Sequence, residues 1–432
     1  MKRTVFDQLK VWKSSAHRKP LVIRGARQVG KTWLMKEFGK QEYEYVAYAN
    51  FEADASLKHL FQQDYKIPRI LTALQIATGQ PIHPGKTLII LDEIQEGPGA
   101  ITALKYFQED APEYHIISAG SLLGVALGTE TSFPVGKVEF FDLFPLSFHE
   151  FLLAQQESSL VDVITQGDWP MITTFKARFI ERLRQYYFVG GMPEAVNAFA
   201  ERSDFQEVRQ IQQNILLAYE QDFSKHAPGS VIPRIRMLWN TIPAQLAKEN
   251  KKFIYGLIKA GARAKEYEIA LAWLVDCGLA HKIHNVTKPA VPLKAYENFN
   301  AFKLYILDVG LLSAMVQIGA RSLLDGGKIF EEFKGALTEQ FVAQQLLTQR
   351  NERLYYWSPE NARAEIDFLV QKKDEIIPIE VKAAENLQSK SLRAYCDKYA
   401  PKTAIRTSLS DYRQESWMTN IPLYAIGSLL VE

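Results

Sequence analysis

Along the chain, short, mostly apolar runs alternate with longer stretches whose apolar residues recur at helical spacing. Leu21-Val-Ile, Tyr45 to Phe51, Leu88 to Leu91 and Tyr114 to Ala119 are the short runs. Runs of this length and apolar content suit strands buried on both faces of a parallel sheet. Val5 to Trp12, Trp33 to Phe38, Ala55 to Phe61, Ile67 to Ala77 and Ile101 to Glu109 carry the helical pattern, and Arg18-Lys19-Pro20 breaks the chain ahead of the first strand. Strand and helix in alternation predict a parallel α/β domain over residues 1–180.

The pattern then changes twice. Phe179 to Phe188 and Phe205 to Phe223 read as helices separated by Gly190-Gly-Met-Pro193, predicting a helical lid or linker over 181–231. The glycine pair reads either as a pivot or as a plain connector. Ile235 to Leu246, Phe253 to Ala260 and Ala264 to Asp276 read as three helices, followed by strands at Leu279 to His284 and Lys303 to Asp308. Three helices and a hairpin predict a winged-helix-like domain over 232–330. From 331 to 432 a helix from Phe333 to Gln349 precedes strands at Leu354 to Trp357, Glu365 to Val370 and Ile376 to Lys382, a smaller α/β unit.

Composition narrows the class without choosing a function. The chain has 432 residues, 47% hydrophobic and 23% charged, with no low-complexity tract or repeat, so several globular domains are expected. A net charge of +2 makes no global case for nucleic acid or membrane. Residues 232–290 do hold about ten Lys and Arg against about four acids, a local excess that suits phosphate contacts. Arg263, Lys265, Lys282 and Lys288 are the expected contacts there, although winged helices also dock proteins. Cys277 and Cys396 are far apart and have no metal-ligand spacing. With no signal-type apolar core in the first ten residues and no run near the ~20 residues of a membrane span, a cytoplasmic protein without a membrane partner is expected.

Two stretches carry chemistry in the first domain. Gly25-Ala26-Arg27-Gln28-Val29-Gly30-Lys31-Thr32-Trp33 follows the first strand and opens a helix, the context of a phosphate-binding loop. Its glycines let backbone N–H groups close on phosphate oxygens at a helix N-terminus; Lys31 reaches the terminal phosphates and Thr32 ligates Mg²⁺. Thr87 to Asp92-Glu93 is an apolar strand ending in two acids, a Walker B arrangement in which Asp92 holds Mg²⁺ and Glu93 directs the attacking water. Gln95 lies near enough to contact that water. Ser121, after the strand ending at Ala119, is the candidate γ-phosphate sensor or else a simple cap. ATP and Mg²⁺ are the cofactors this implies.

In the last unit, Asp367 stands about thirteen residues before Glu380-x-Lys382, within reach of one antiparallel hairpin. Glu380 and Lys382, two apart, share a strand face.

Together Arg24 to Thr32, Leu91-Asp-Glu-Ile-Gln95, Ala119-Gly-Ser121, Phe144 to Phe151 and Gly190 to Glu194 resemble a family of prokaryotic AAA-type ATPases of the AAA+ or signal-transduction class. Its members join the ATPase to a C-terminal domain of unknown function. The resemblance implies ATP hydrolysis but no biological substrate. Where such proteins tend to have Gly-Arg, this chain has Gly136-Lys137, so either Lys137 acts more weakly in its place or an arginine comes from Arg182, Arg184 or a second copy in a homo-oligomer. Glu339, Asp367, Glu380 and Lys382 resemble the PD-(D/E)xK nuclease-like fold. That resemblance implies Mg²⁺ or Mn²⁺ on the three carboxylates, Lys382 as a catalytic partner, and DNA or RNA as a target, or else an inactive scaffold stabilised by a buried ion pair.

Overall fold

The computed structural model describes residues 2–120, 134, 136–248, 251–348, 353–359, 364–385 and 388–428. Ser121 lies outside them. The chain divides into two compact units, one of residues 3–144 with 276–278, the other of the remainder.

The first unit is built on β1 (Leu21–Arg24), β2 (Tyr45–Asn50), β3 (Thr87–Asp92), β4 (His115–Ala119) and β5 (Glu139–Asp142). They form one parallel sheet in the order β2-β3-β4-β1-β5. Every residue of β3 and β4 is buried, as suits strands with apolar centres, Leu88 to Leu91 and Ile116-Ile117. Helices Ile67–Thr78 and Ala100–Asp110 bury Ile70, Leu74, Leu104 and Phe107 in the core that also takes Ile89 and Leu91. β4 lies between β1 and β3, so the carboxyl ends of the two motif-bearing strands flank one crevice edge. The helix expected from Ala55 to Phe61 contracts to a single 3₁₀ turn, Leu57–His59. Asp54 Oδ1 accepts from both the amide and the hydroxyl of Ser56, holding the backbone in a local turn that competes with helix.

The second unit carries an eight-stranded mixed sheet in the order β12-β13-β11-β10-β9-β8-β6-β7. Its strands are β6 (Ala280–Val286), β7 (Glu297–Ile306), β8 (Leu354–Trp357), β9 (Ile366–Lys372), β10 (Glu375–Val381), β11 (Ile405–Ser408), β12 (Arg413–Gln414) and β13 (Thr419–Pro422). The β9–β10 hairpin forms as the sequence suggests, with Glu375 opposite Lys372. The expected winged-helix hairpin is a different matter. β6 and β7 pair with each other, but β6 also pairs in parallel with β8, so the boundary drawn at residue 330 falls inside a continuous sheet. The helix expected from Phe253 to Ala260 is only a 3₁₀ turn, Tyr255–Leu257. Its backbone is satisfied elsewhere: the Gln245 side chain accepts from Ile254 N and donates to Ile254 O, and Phe253 N donates to Phe302 O.

Helix Lys328–Leu347 is unusual in burying amides. Gln340 exchanges two hydrogen bonds with the Ile306 backbone, Gln344 accepts from Val309 N, and Gln345 accepts from Phe148 N. Gly190 and Gly191, for which a pivot was one reading, are held by close packing. A Cβ at Gly190 would stand 2.1 Å from Asp308 Oδ1, and one at Gly191 2.1 Å from the Leu146 carbonyl. Fully buried Asp308 accepts from Gly191 N at 2.6 Å and from Leu311 N at 3.0 Å. The pair therefore serves close approach of backbone to side chain in a packed junction. The block Phe144 to Phe151 contributes a complete capping box, Ser147 with Glu150, to helix Phe148–Ala154.

Candidate functional site

After β1 the chain turns tightly at Gly25, where a Cβ would lie 2.3 Å from the Leu143 carbonyl, and Gln28 and Gly30 take positive φ. Gly30 is the N-cap of helix Lys31–Glu42, so the open amides of that helix face the loop. Arg3, buried and unremarked in the sequence, donates to Val29 O at 3.2 Å and to Phe144 O at 2.8 Å, bracing the loop from outside the motif. Lys31 curls back over its own loop, with Nζ 2.9 Å from Gly25 O and 2.8 Å from Ala26 O. Burial pushes its ammonium down to about 8, against the opposing pull of Glu93 and Asp92. Trp33 is partly exposed on the same helix.

The two motifs meet at Asp92. Its Oδ2 accepts from Thr32 Oγ1 at 2.7 Å and from Tyr48 OH at 2.9 Å, while Oδ1 accepts from Glu93 N at 3.1 Å. Tyr48, whose phenol burial pushes up to about 12, was not anticipated; its place at the end of the strand adjoining β3 is the signal that points to it. Glu93 sits in the left-handed region, φ 49°, and Gln95 Nε2 donates to its Oε2 at 2.6 Å. A hydroxyl and a carboxylate side by side, beside an ammonium, form an all-oxygen donor set that fits Mg²⁺ on a phosphate. Of the expected arginine substitutes, Lys137 pairs with Glu109 at 2.9 Å, Arg182 with Glu157 at 2.6 Å, and Arg184 donates to Leu324 O at 2.8 Å.

The C-terminal constellation is assembled differently from its expected form. Glu339 and Asp367 do come together, but around Lys303 of β7. This fully buried ammonium is 3.0 Å from Glu339 Oε1, 2.5 Å from Glu365 Oε1 and 3.8 Å from Asp367 Oδ1. Glu339 also accepts from Lys251 Nζ through its other oxygen and from Tyr305 OH. Burial works against charge on Glu339, yet the two ammonium groups hold its carboxyl down at about 2. Asp367 is pushed up to about 7, first by burial and then by Glu339. Its Oδ2 accepts from Val381 N at 2.8 Å.

Only one oxygen of Glu380 is paired, and among the described residues its Oε2 is buried without a hydrogen-bond partner. Its Oε1 pairs with Lys382 Nζ at 3.0 Å, and its charge acts on Cys396 and Arg406. Among the described residues no three His, Cys, Asp or Glu side chains stand as a group able to hold a metal ion. The cation beside Glu339 and Asp367 is thus a lysine. Lys303 was missed because a lysine within an apolar strand carries no motif. Glu365, Tyr305 and Lys251 belong to no motif either, and meet Lys303 or Glu339 only in the folded chain.

A glycine loop, a lysine, a hydroxyl and paired strand-end acids on a parallel sheet define a P-loop nucleotide-binding domain. Residues 17–152 match the family described as AAA domain, which supports an AAA-type P-loop ATPase domain in this part of the chain. Residues 180–322 and 334–426 match two families, each described as a domain of unknown function, DUF8612 and DUF4143. Among solved structures the chain is similar to a Walker-type ATPase of Pyrococcus abyssi, at 14% identity and TM-score 0.45, covering 72% of this chain and 94% of that one. It is also similar to the RuvB Holliday junction branch migration motor of Thermotoga maritima, at 14% identity and TM-score 0.31, covering 65% and 89%. A third similar structure, the Aeropyrum pernix ORC1 protein in complex with DNA, has 10% identity and TM-score 0.26, covering 72% and 90%. No curated protein matches. Among the described residues no helix is long and apolar enough to cross a membrane.

Proposed function

We propose that the chain binds and hydrolyses ATP with Mg²⁺ at the first unit and uses that turnover to control a nucleic-acid-directed second unit. Gly25 to Thr32 hold the phosphates, with Ala26, Arg27, Gln28 and Val29 supplying backbone and Trp33 flanking them. Lys31 neutralises the terminal phosphates, Thr32 and Asp92 hold the metal, and Glu93 orients the attacking water, with Ser121 as the phosphate sensor. The observation that carries the reading is the Lys31 ammonium, held at 2.9 and 2.8 Å by two neutral carbonyls. Carbonyls orient a cation without cancelling its charge, and a triphosphate supplies what they lack. Lys31→Ala tests this: nucleotide binding should fall at least a hundredfold, and unchanged binding would remove the reading.

At the second unit the lysine among the carboxylates weighs against a metal-dependent nuclease, and we infer that the unit recognises a nucleic acid without cleaving it. Incubation with plasmid, single-stranded DNA or RNA in Mg²⁺ or Mn²⁺, with and without ATP, should give retention of the nucleic acid and no nicking. Nicking by the wild type that Asp367→Ala abolishes would restore the nuclease.

A further inference from the structure

A divalent ion on Glu339, Asp367 and Glu380 is what the nuclease-like resemblance implies, and the side chains present do not fit one. Three carboxylates, Glu339, Glu365 and Asp367, converge on one point, and Lys303 Nζ stands at it, within 3.8 Å of all three. The ammonium is fully buried, and the Tyr356 ring lies 5.0 Å from it. A second ammonium, Lys251, takes the remaining oxygen of Glu339 from the segment after helix Ile232–Leu246, and Tyr305 donates its hydroxyl to the same carboxylate. Glu380, the third ligand expected, pairs with Lys382 through Oε1.

We propose that Lys303 is the resident cation of this cluster, so that the second unit is complete without a divalent metal. The assignment rests on the non-cleaving reading of that unit and is independent of ATP turnover in the other. Its chemistry is simple. An ammonium can donate at most three hydrogen bonds and carries one charge. It can therefore neutralise and tie together carboxylates from helix Lys328–Leu347 and from the start of β9, but it cannot lower the pKa of a bound water as a divalent ion does. Nucleic acid that reaches this unit is held without an activated hydroxide. The cluster fixes β7, β9 and the long helix to one another, because an unpaired charge at this depth is costly.

The test uses the full-length, nucleotide-free chain and Mn²⁺ as the probe, with free Mn²⁺ read by electron paramagnetic resonance. Wild type and Asp367→Asn should bind the same number of ions with the same affinity. Lys303→Met, if folded by circular dichroism, should bind one more ion than wild type, at least tenfold more tightly than any shared weak site, since three carboxylates are then left facing one another. A wild-type Mn²⁺ site lost in Asp367→Asn overturns the proposal, and so does a folded Lys303→Met that gains none. If Lys303→Met does not fold, the comparison of wild type with Asp367→Asn decides alone. Because no nucleotide is present, failure of the ATPase reading does not change these outcomes.

Discussion

Two buried lysines, one in each unit, carry opposite electrostatic burdens. Lys31 is surrounded by neutral carbonyls, and burial drives its pKa down to about 8. Lys303 is more deeply buried, yet Glu339, Glu365 and Asp367 drive its pKa up against that same burial. The first is hydrogen-bonded by neutral groups, with Glu93 and Asp92 only opposing the effect of burial, whereas the second is paired directly with carboxylates. Depth of burial therefore says little about whether a lysine is a ligand site. What decides is whether its acceptors are ionised.

The sharpest way to break this contrast is to remove the groups on each side of it. Glu93→Gln should leave MgATP binding within a few-fold of wild type and lower turnover by about 10²-fold or more, the usual scale for a displaced base; normal steady-state hydrolysis would show that another group directs the water. Lys303→Met should cost about 3–5 kcal/mol in chemical denaturation, since it strands carboxylates in a buried place. A cost below about 1 kcal/mol, the scale of an exposed ion pair, would mean that the lysine is not the centre of the cluster. Gly191→Ala puts a Cβ 2.1 Å from the Leu146 carbonyl and should cost about 1–3 kcal/mol. A neutral result there would return the glycine pair to the role of a pivot. Smallest is Tyr48→Phe, which removes one of two hydroxyls from Asp92 Oδ2 and should weaken Mg²⁺-dependent nucleotide binding by about 0.5–1.5 kcal/mol. Equal binding in Mg²⁺ and in EDTA by both proteins would sever Asp92 from the metal.

The same contrast marks what was legible in the sequence. The phosphate loop and the Asp92-Glu93 strand end were readable because their chemistry is written at fixed spacing on consecutive elements. The β9–β10 hairpin was readable for the same reason, with period-two alternation and a short turn. Lys303 was not, because its partners lie 36, 62 and 64 positions away and meet only when β7, β9 and the long helix pack. The winged-helix expectation failed over Phe253 to Ala260 because Gln245, a side chain, satisfies the backbone that a helix would have satisfied internally. It failed again at β6 because pairing with β8 crosses some 70 residues of sequence, and local pattern carries no information at that range. Gly190 and Gly191 were visible as glycines, but their reason, the approach of Asp308 and Leu146, is tertiary.

The most direct test of the central claim is calorimetric titration of MgATP into the full-length chain at pH 7 and pH 9, in buffers of different ionisation enthalpy. Burial pushes the Lys31 ammonium down to about 8, and a bound triphosphate is expected to raise it again. The sign follows: affinity is full below pH 8 and falls about tenfold per unit above it, with proton uptake on binding. One saturable site with proton uptake at pH 9 but not at pH 7, absent in Lys31→Ala, is the expected result. No binding heat at pH 7, or binding unchanged in Lys31→Ala, would contradict the account.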